Sequence, residues 1–300
     1  MLKWERKLVE FLEKNMLILA ALFISGIALL LRRQNIWFHT EDYIYYFDMH
    51  QGNIQSAVYF SLVKLLGYVF ELPLHGIKWL TIVSDFAVAF LSVLLCGFLS
   101  VKKQGKTVWK KRTFQFKLLL LYAACLFAPV IYVRGCVWAQ VDALAFVFLL
   151  AAAFLLEFYE KKGLIAAIVL GAVGVSVYPP VLLVVIGYCL LIKKQDFPVV
   201  KYVWLIVVVL AAVLEVLGGM AVDLSPKQSV ISLFQWITFY PHTGVVYKNL
   251  GDWMWQQLLL FSYSASLVSL VGAFRKKLSL VAVVILQIVL AVCVGIALGW

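Results

Sequence analysis

Apolar residues follow one another along this chain in long stretches, and the polar ones gather between them. About 20 apolar residues span a bilayer core, and hydrocarbon offers no partner to a free backbone group, so such runs predict membrane-crossing helices. The first span is residues 15–31. Residues 2–14 set Trp4, Leu8, Phe11 and Leu12 against Lys3, Arg6, Lys7 and Glu10 at helical spacing, which predicts an amphipathic helix on the cytoplasmic surface that serves as an anchor. A first outer loop, 32–77, follows. Within it, 53–70 is apolar but interrupted by Gln55, Ser56, Ser61 and Lys64, the pattern of an interfacial or re-entrant helix. The second span, 78–99, carries Lys78 and Asp85 seven residues apart on one face.

The chain then returns outward over 116–133, turns at 134–137 and enters again over 138–158. Residues 163–192 are broken by Tyr178, Pro179 and Pro180 into halves of about fourteen residues, each near 21 Å and too short to cross. Two short helices meeting at a prolyl turn are expected there, with the turn buried or lining a cavity. A span at 199–222 holds Glu215 near its outer end. A second outer loop, 223–252, is rich in aromatics, among them Phe234, Trp236, Phe239, Tyr240 and Tyr247, and spans at 256–273 and 278–298 complete the chain. The expected fold class is an all-α polytopic membrane protein with about 8–10 transmembrane or re-entrant helices in one transmembrane domain, 1–300.

Composition agrees, with 64% hydrophobic and 14% charged residues, outside the range of soluble domains. Short alternating strands are absent, so a β-barrel is not expected. The net charge of +11 invites a nucleic-acid reading, but position argues against it, because 19 of the 26 lysines and arginines fall in clusters at one set of helix ends. That is the positive-inside bias, and it predicts a cytoplasmic N-terminus and a multi-pass protein of the cell membrane. The first span follows a charged segment and lacks a cleavage pattern, so it is expected to be retained. Cys96, Cys125, Cys136, Cys189 and Cys293 have neither paired nor metal-like spacing and read as small apolar core residues.

Ionisable residues collect on the outer side. Glu41, Asp42 and Asp48 share a loop with His39 and His50, walled by Trp37, Phe38, Tyr43, Tyr45, Tyr46 and Phe47. Asp42 fits a general base, which must be ionised and held stiffly, and equally fits a solvated loop carboxylate. Asp142 stands in the first turn of an entering helix beside Trp138 and Gln140, where the dipole helps an acid whose burial still calls for a partner. Arg134 fits that partner, or a ligand's anion. Arg32, Arg33, Arg134 and Lys78 lie at the outer boundary against the charge trend, which suits a lipid-linked phosphate as well as snorkelling to headgroups. Asp85 within a span points to a site or to a buried pair with Lys78 or Arg134. His39, His50, His75 and His242 lack zinc spacing, and no divalent metal or other cofactor is expected.

Three stretches resemble the integral-membrane glycosyltransferases of the C superfold (GT-C), in particular bacterial relatives of the second mannosyltransferase of GPI-anchor synthesis. Thr40-Glu41-Asp42-Tyr43 resembles that group's Ser-Gly-Asp-Tyr in the first outer loop, followed by a Tyr-bearing segment, here 53–59 with Tyr59. Residues 77–86 resemble its Lys-to-Asp second helix, and 129–150 its Trp-Gly-Gln-x-Asp helix start. The chain departs from the pattern at Ala139, Arg134 and Tyr178-Pro179. The resemblance implies a polyprenyl-phosphate-linked sugar donor, a lipid or envelope-glycan acceptor, and inversion at the anomeric carbon with Asp42, or its neighbour Glu41, as base. It further implies that Arg32, Arg33, Arg134 and Lys78, with Tyr46, Tyr59, Trp138, Gln140, Asp142 and Asp85, bind the donor phosphate and substrate without a metal. Two other readings stand beside it. One is a transporter or flippase-like protein for lipid-linked or envelope glycans, which should carry ionisable groups deep in several helices. The other, suggested by the abrupt end at Trp300, is an inactive fragment of the same fold.

Overall fold

The computed structural model describes residues 3–37, 73–137, 142–159, 162–178, 250–275 and 278–297, with single positions at 181, 202, 205, 206 and 209. Among them every regular element is helical. Helix α1 is Lys3–Gln34, so the surface helix expected at 2–14 and the first span are one continuous element. Helix α2, Pro73–Gln104, runs past the foreseen 78–99 at both ends, shortening the first outer loop. A 3-10 turn at Lys106–Lys110 leads into α3, Arg112–Phe127, then α4, Pro129–Tyr132, and a π-helical turn, Val133–Val137. The remaining helices are α5, Asp142–Tyr159; α6, Leu164–Val177; α7, Leu250–Phe274; and α8, Leu280–Ala297. The interfacial helix at 53–70, most of both outer loops, most of the span 199–222 and the second half of 163–192 lie outside the described residues.

Asn15–Gln34, Gly76–Gln104 and Asp142–Tyr159 are each long and apolar enough to cross a membrane. Arg112–Phe127 and Pro129–Val137 make a fourth such stretch if taken together, although they are bent by 49°. The outward span expected over 116–133 is thus broken, and Pro129 is the reason it bends. Proline excludes the helical conformation from the residue before it, and Ala128 accordingly takes φ −57, ψ 123, while Pro129 starts the next helix where an N–H is dispensable. The π turn that follows widens the backbone just where Arg134 sits, a distortion that recurs at functional sites.

Contacts between helices fix their directions. α1 and α3 run parallel, since Ser25 bonds Tyr122 at 2.9 Å and the Tyr132 hydroxyl, just beyond α3, donates to Leu31 O at 3.1 Å. α2 and α5 also run parallel, joined at one end by Lys102 and Glu157 at 3.7 Å, and α6 returns antiparallel to α5 with Gly174 against Ala145. Phe274 at the end of α7 meets Phe114 at the start of α3, and Ser266 and Ser269 of α7 clasp Gln287 of α8 at 2.9–3.1 Å. In hydrocarbon such side-chain clasps and small interface residues hold helices together, as Ala89, Ala145, Ala152 and Ala167 do at the centre, each fully buried. Cys96, Cys125, Cys136 and Cys293 are buried as expected of apolar core residues. Large apolar side chains face outward on α1 (Leu22, Phe23, Leu30) and α8 (Leu280, Val281, Ile288), the surface a bilayer would cover.

The bundle therefore has two chemically distinct ends. At one lie Lys102, Lys103, Lys106, Lys110, Lys111, Arg112, Lys162 and Arg275. At the other, the end of α1, the first turns of α2, the π turn, the start of α5 and the end of α6 come together around buried charge.

Candidate functional site

Arg32 stands in the last turn of α1 and is wholly buried. Its Nε donates to Asp85 Oδ2 at 3.2 Å, its Nη2 to Leu126 O at 2.8 Å and its Nη1 to Ala28 O at 3.5 Å. The guanidinium carbon lies 5.3 Å from the centre of the Tyr132 ring and 5.7 Å from that of Phe86, so the cation is satisfied by one carboxylate, two carbonyls and two π faces. Asp85 Oδ1 accepts from the Tyr263 hydroxyl at 3.3 Å. The partner of Asp85 is thus Arg32 rather than Lys78, which shares its helix face, or Arg134. Lys78, two turns earlier in α2, donates to Asn35 O at 2.7 Å.

A second pair lies beside the first. Arg134 Nε donates to Asp142 Oδ2 at 2.8 Å and its Nη2 to the Tyr178 hydroxyl at 3.4 Å, joining the π turn to the start of α5 and the end of α6. This settles Arg134 as the partner of Asp142. Asp142 is 1% exposed, at the positive end of its helix, and its Oδ1 has no hydrogen-bond partner among the described residues. Arg33, next along α1, is exposed and outside the cluster. Asp42, Glu41, Tyr46, Tyr59, Trp138 and Gln140 lie outside the described residues.

Ion pairs removed from water lose hydration that only good geometry and further hydrogen bonds recover, and both pairs here have them. Three buried cations, Arg32, Lys78 and Arg134, stand with two buried carboxylates, Asp85 and Asp142. Neither arginine snorkels. Both are fixed inside the protein, and an incoming phosphate would meet guanidinium groups whose Nε is already committed to a carboxylate.

Sequence reasoning missed Tyr178, Tyr263 and Gly135. Tyr178 had served only as punctuation before two prolines, and Tyr263 sits in a Ser-rich apolar helix with no charge nearby in sequence. Gly135 lets the π turn approach Asp85, because a Cβ there would lie 2.5 and 2.6 Å from its carboxylate oxygens. Asp85 has little freedom to give way, being held by Arg32 and Tyr263. Gly135→Ala is therefore expected to cost about 1–3 kcal/mol by overpacking. A lowered apparent melting temperature in detergent would show it, and an unchanged one would mean that the π turn relaxes freely.

The stems of the first loop are joined at the same place. Lys78 Nζ on Asn35 O links the chain just before residue 38 to the helix that begins at Pro73, and Ile36 is buried with Ile82 and Cys136. Cys136 Sγ in turn donates to Arg32 O at 3.2 Å. No family model, curated protein or solved structure matches the chain.

Proposed function

We propose that this chain is a multi-pass membrane glycosyltransferase of the GT-C kind, moving a hexose, mannose-like, with inversion from a polyprenyl phosphate to a lipid or envelope-glycan acceptor on the extracytoplasmic face. The observation that carries the reading is the joined base of the first loop. The described residues on either side of the segment bearing Glu41 and Asp42 are joined by Lys78 on Asn35 O, beside a buried cluster of three cations and two carboxylates and at the end opposite the basic turn of residues 102–117. A carboxylate tethered there has what the reaction needs on both sides of the anomeric carbon. Asp42 takes the proton of the acceptor hydroxyl, the acceptor oxygen forms its bond to C1, and the bond from C1 to the phosphate oxygen breaks with its electron pair leaving on polyprenyl phosphate. Positive charge held in a low-dielectric site steadies that leaving group. Because each arginine is paired, Arg32 and Arg134 act as fixed field sources and anchors of the site wall, with Lys78 at the loop base.

A second reading, a carrier of lipid-linked glycans, is favoured by one feature: α1, α2, the π turn and α5 each contribute a buried charge. One experiment separates them. Proteoliposomes containing the protein are given a polyprenyl-phosphate hexose radiolabelled in the sugar, together with native lipid extract. Label passing into a new lipid or glycan product, above empty liposomes, is the expected result. Label crossing the bilayer with its sugar–phosphate bond intact would replace the transferase by the carrier.

A further inference from the structure

The basic end carries more than a topology signal. Between residues 102 and 117 the chain places seven cations, Lys102, Lys103, Lys106, Lys110, Lys111, Arg112 and Lys117, and no carboxylate. All seven side chains are exposed. Among the described residues an ion pair reaches only Lys102, which meets Glu157 at 3.7 Å.

A loop whose cations served only to set orientation could be loose, and this one is fastened. Gly105 turns the chain out of α2 at φ 86, a conformation that side chains disfavour. Val108 is buried, and the Trp109 ring meets Phe98 and Phe114 edge-on at 6.0 and 5.9 Å. The Gln115 side chain donates to Trp109 O at 2.7 Å, closing the turn onto α3. The cations on either side of Trp109 are therefore presented from a fixed backbone. Their placement is also unfavourable within the protein itself, since Lys110, Lys111 and Arg112 crowd the positive end of α3, whose first turn has no acid and whose start has no side-chain cap.

The height of the patch indicates what neutralises it. Phe116 and Leu120 of α3 are 52% and 54% exposed, the face that hydrocarbon covers. They lie about 6 and 12 Å along the helix axis from Arg112. Cations at that edge stand at headgroup level, where the first anions met are lipid phosphates.

We propose that the turn between α2 and α3 is a seat for anionic phospholipid headgroups, with Lys106, Lys110, Lys111 and Arg112 holding the phosphates. The seat requires only that the bundle reside in a membrane and is independent of the transferase reading. Acidic proteins and nucleic acids share the charge but not the position beside an apolar helix face.

The test uses the full chain in a neutral detergent, with phosphatidylglycerol or phosphatidylcholine added in mixed micelles and unfolding followed on heating. Phosphatidylglycerol should raise the apparent melting temperature by about 5 °C more than phosphatidylcholine at low salt, and about 500 mM NaCl should remove most of that difference. The triple variant K110Q/K111Q/R112Q should lose at least half of it, while K110R/K111R and K162Q keep it. If the glutamine variant does not fold, native mass spectrometry of wild-type protein should still show retained phosphatidylglycerol in preference to phosphatidylcholine. Equal shifts with both lipids, a full shift in the glutamine variant, or the same shift with inorganic phosphate or a short DNA duplex in place of lipid would overturn the proposal.

Discussion

Asp42→Asn should reduce sugar transfer by about 10²–10⁴-fold while leaving the protein inserted and at wild-type abundance, because an amide of the same shape cannot take a proton from the acceptor hydroxyl. Glu41→Gln should change turnover by no more than about threefold, since on this proposal it alters a neighbouring charge and leaves the base in place. The pair is informative because the two carboxylates are adjacent in sequence and the reaction needs one base. If Glu41→Gln alone abolished turnover, the base would move one residue and the reaction would stand. If both variants kept full turnover, neither Glu41 nor Asp42 would be the base, and the transferase reading would lose the residues that it names for the proton transfer. Radiolabel transfer in membranes gives the rate, and immunodetection of the inserted chain gives the denominator.

The apolar runs were legible because the bilayer imposes them. A helix in hydrocarbon satisfies its own backbone, and the composition of α1, α2 and α5 announces this without reference to any other part of the chain. Their ends were less legible, since α1 and α2 run beyond the apolar stretch into residues that water also tolerates. The bend at Ala128–Pro129 was visible as a proline but masked by apolar residues on both sides. Charge pairing was the least legible feature. Helical spacing links Asp85 to Lys78 on its own helix, whereas the carboxylate is held by Arg32, 53 residues earlier, and by Tyr263, 178 residues later. Arg134 and Asp142 are only eight apart in sequence, so their pairing stands among the sequence expectations, beside a ligand's anion as the other partner for Arg134. Their placement, Asp85 within an apolar run and Arg134 and Asp142 at a helix entry, marks all three as residues of interest. Placement along the chain does not reveal which charges meet, because it names positions and not the helix arrangement that brings them into contact.

That arrangement makes the Arg32–Asp85 pair, wholly buried between α1 and α2, a sensitive point in the described bundle. In Asp85→Ala the guanidinium remains buried with carbonyls and aromatic faces but no counter-charge, a loss expected to cost about 3–5 kcal/mol. At 2–4 °C per kcal/mol for a chain of this order of size, the apparent melting temperature in detergent should fall by about 10 °C. Arg32→Met should be milder, because it strands a carboxylate that still accepts from Tyr263. The double variant Arg32→Met/Asp85→Leu removes both charges and roughly preserves volume, and it should regain most of the stability, as apolar replacements of buried ion pairs commonly do. Recovery in the double variant alone would show coupling between the two side chains. The same three proteins also report on function. If the pair serves only to hold α1 against α2, transfer should recover along with the melting temperature. If its field steadies the leaving phosphate, the double variant should melt near the wild type and still transfer sugar slowly, because apolar side chains restore the packing but not the charge. The proposed chemistry requires that second outcome of a fixed field source, and full recovery of both stability and rate would confine Arg32 and Asp85 to the architecture and leave Lys78 and Arg134 as the cations to test next.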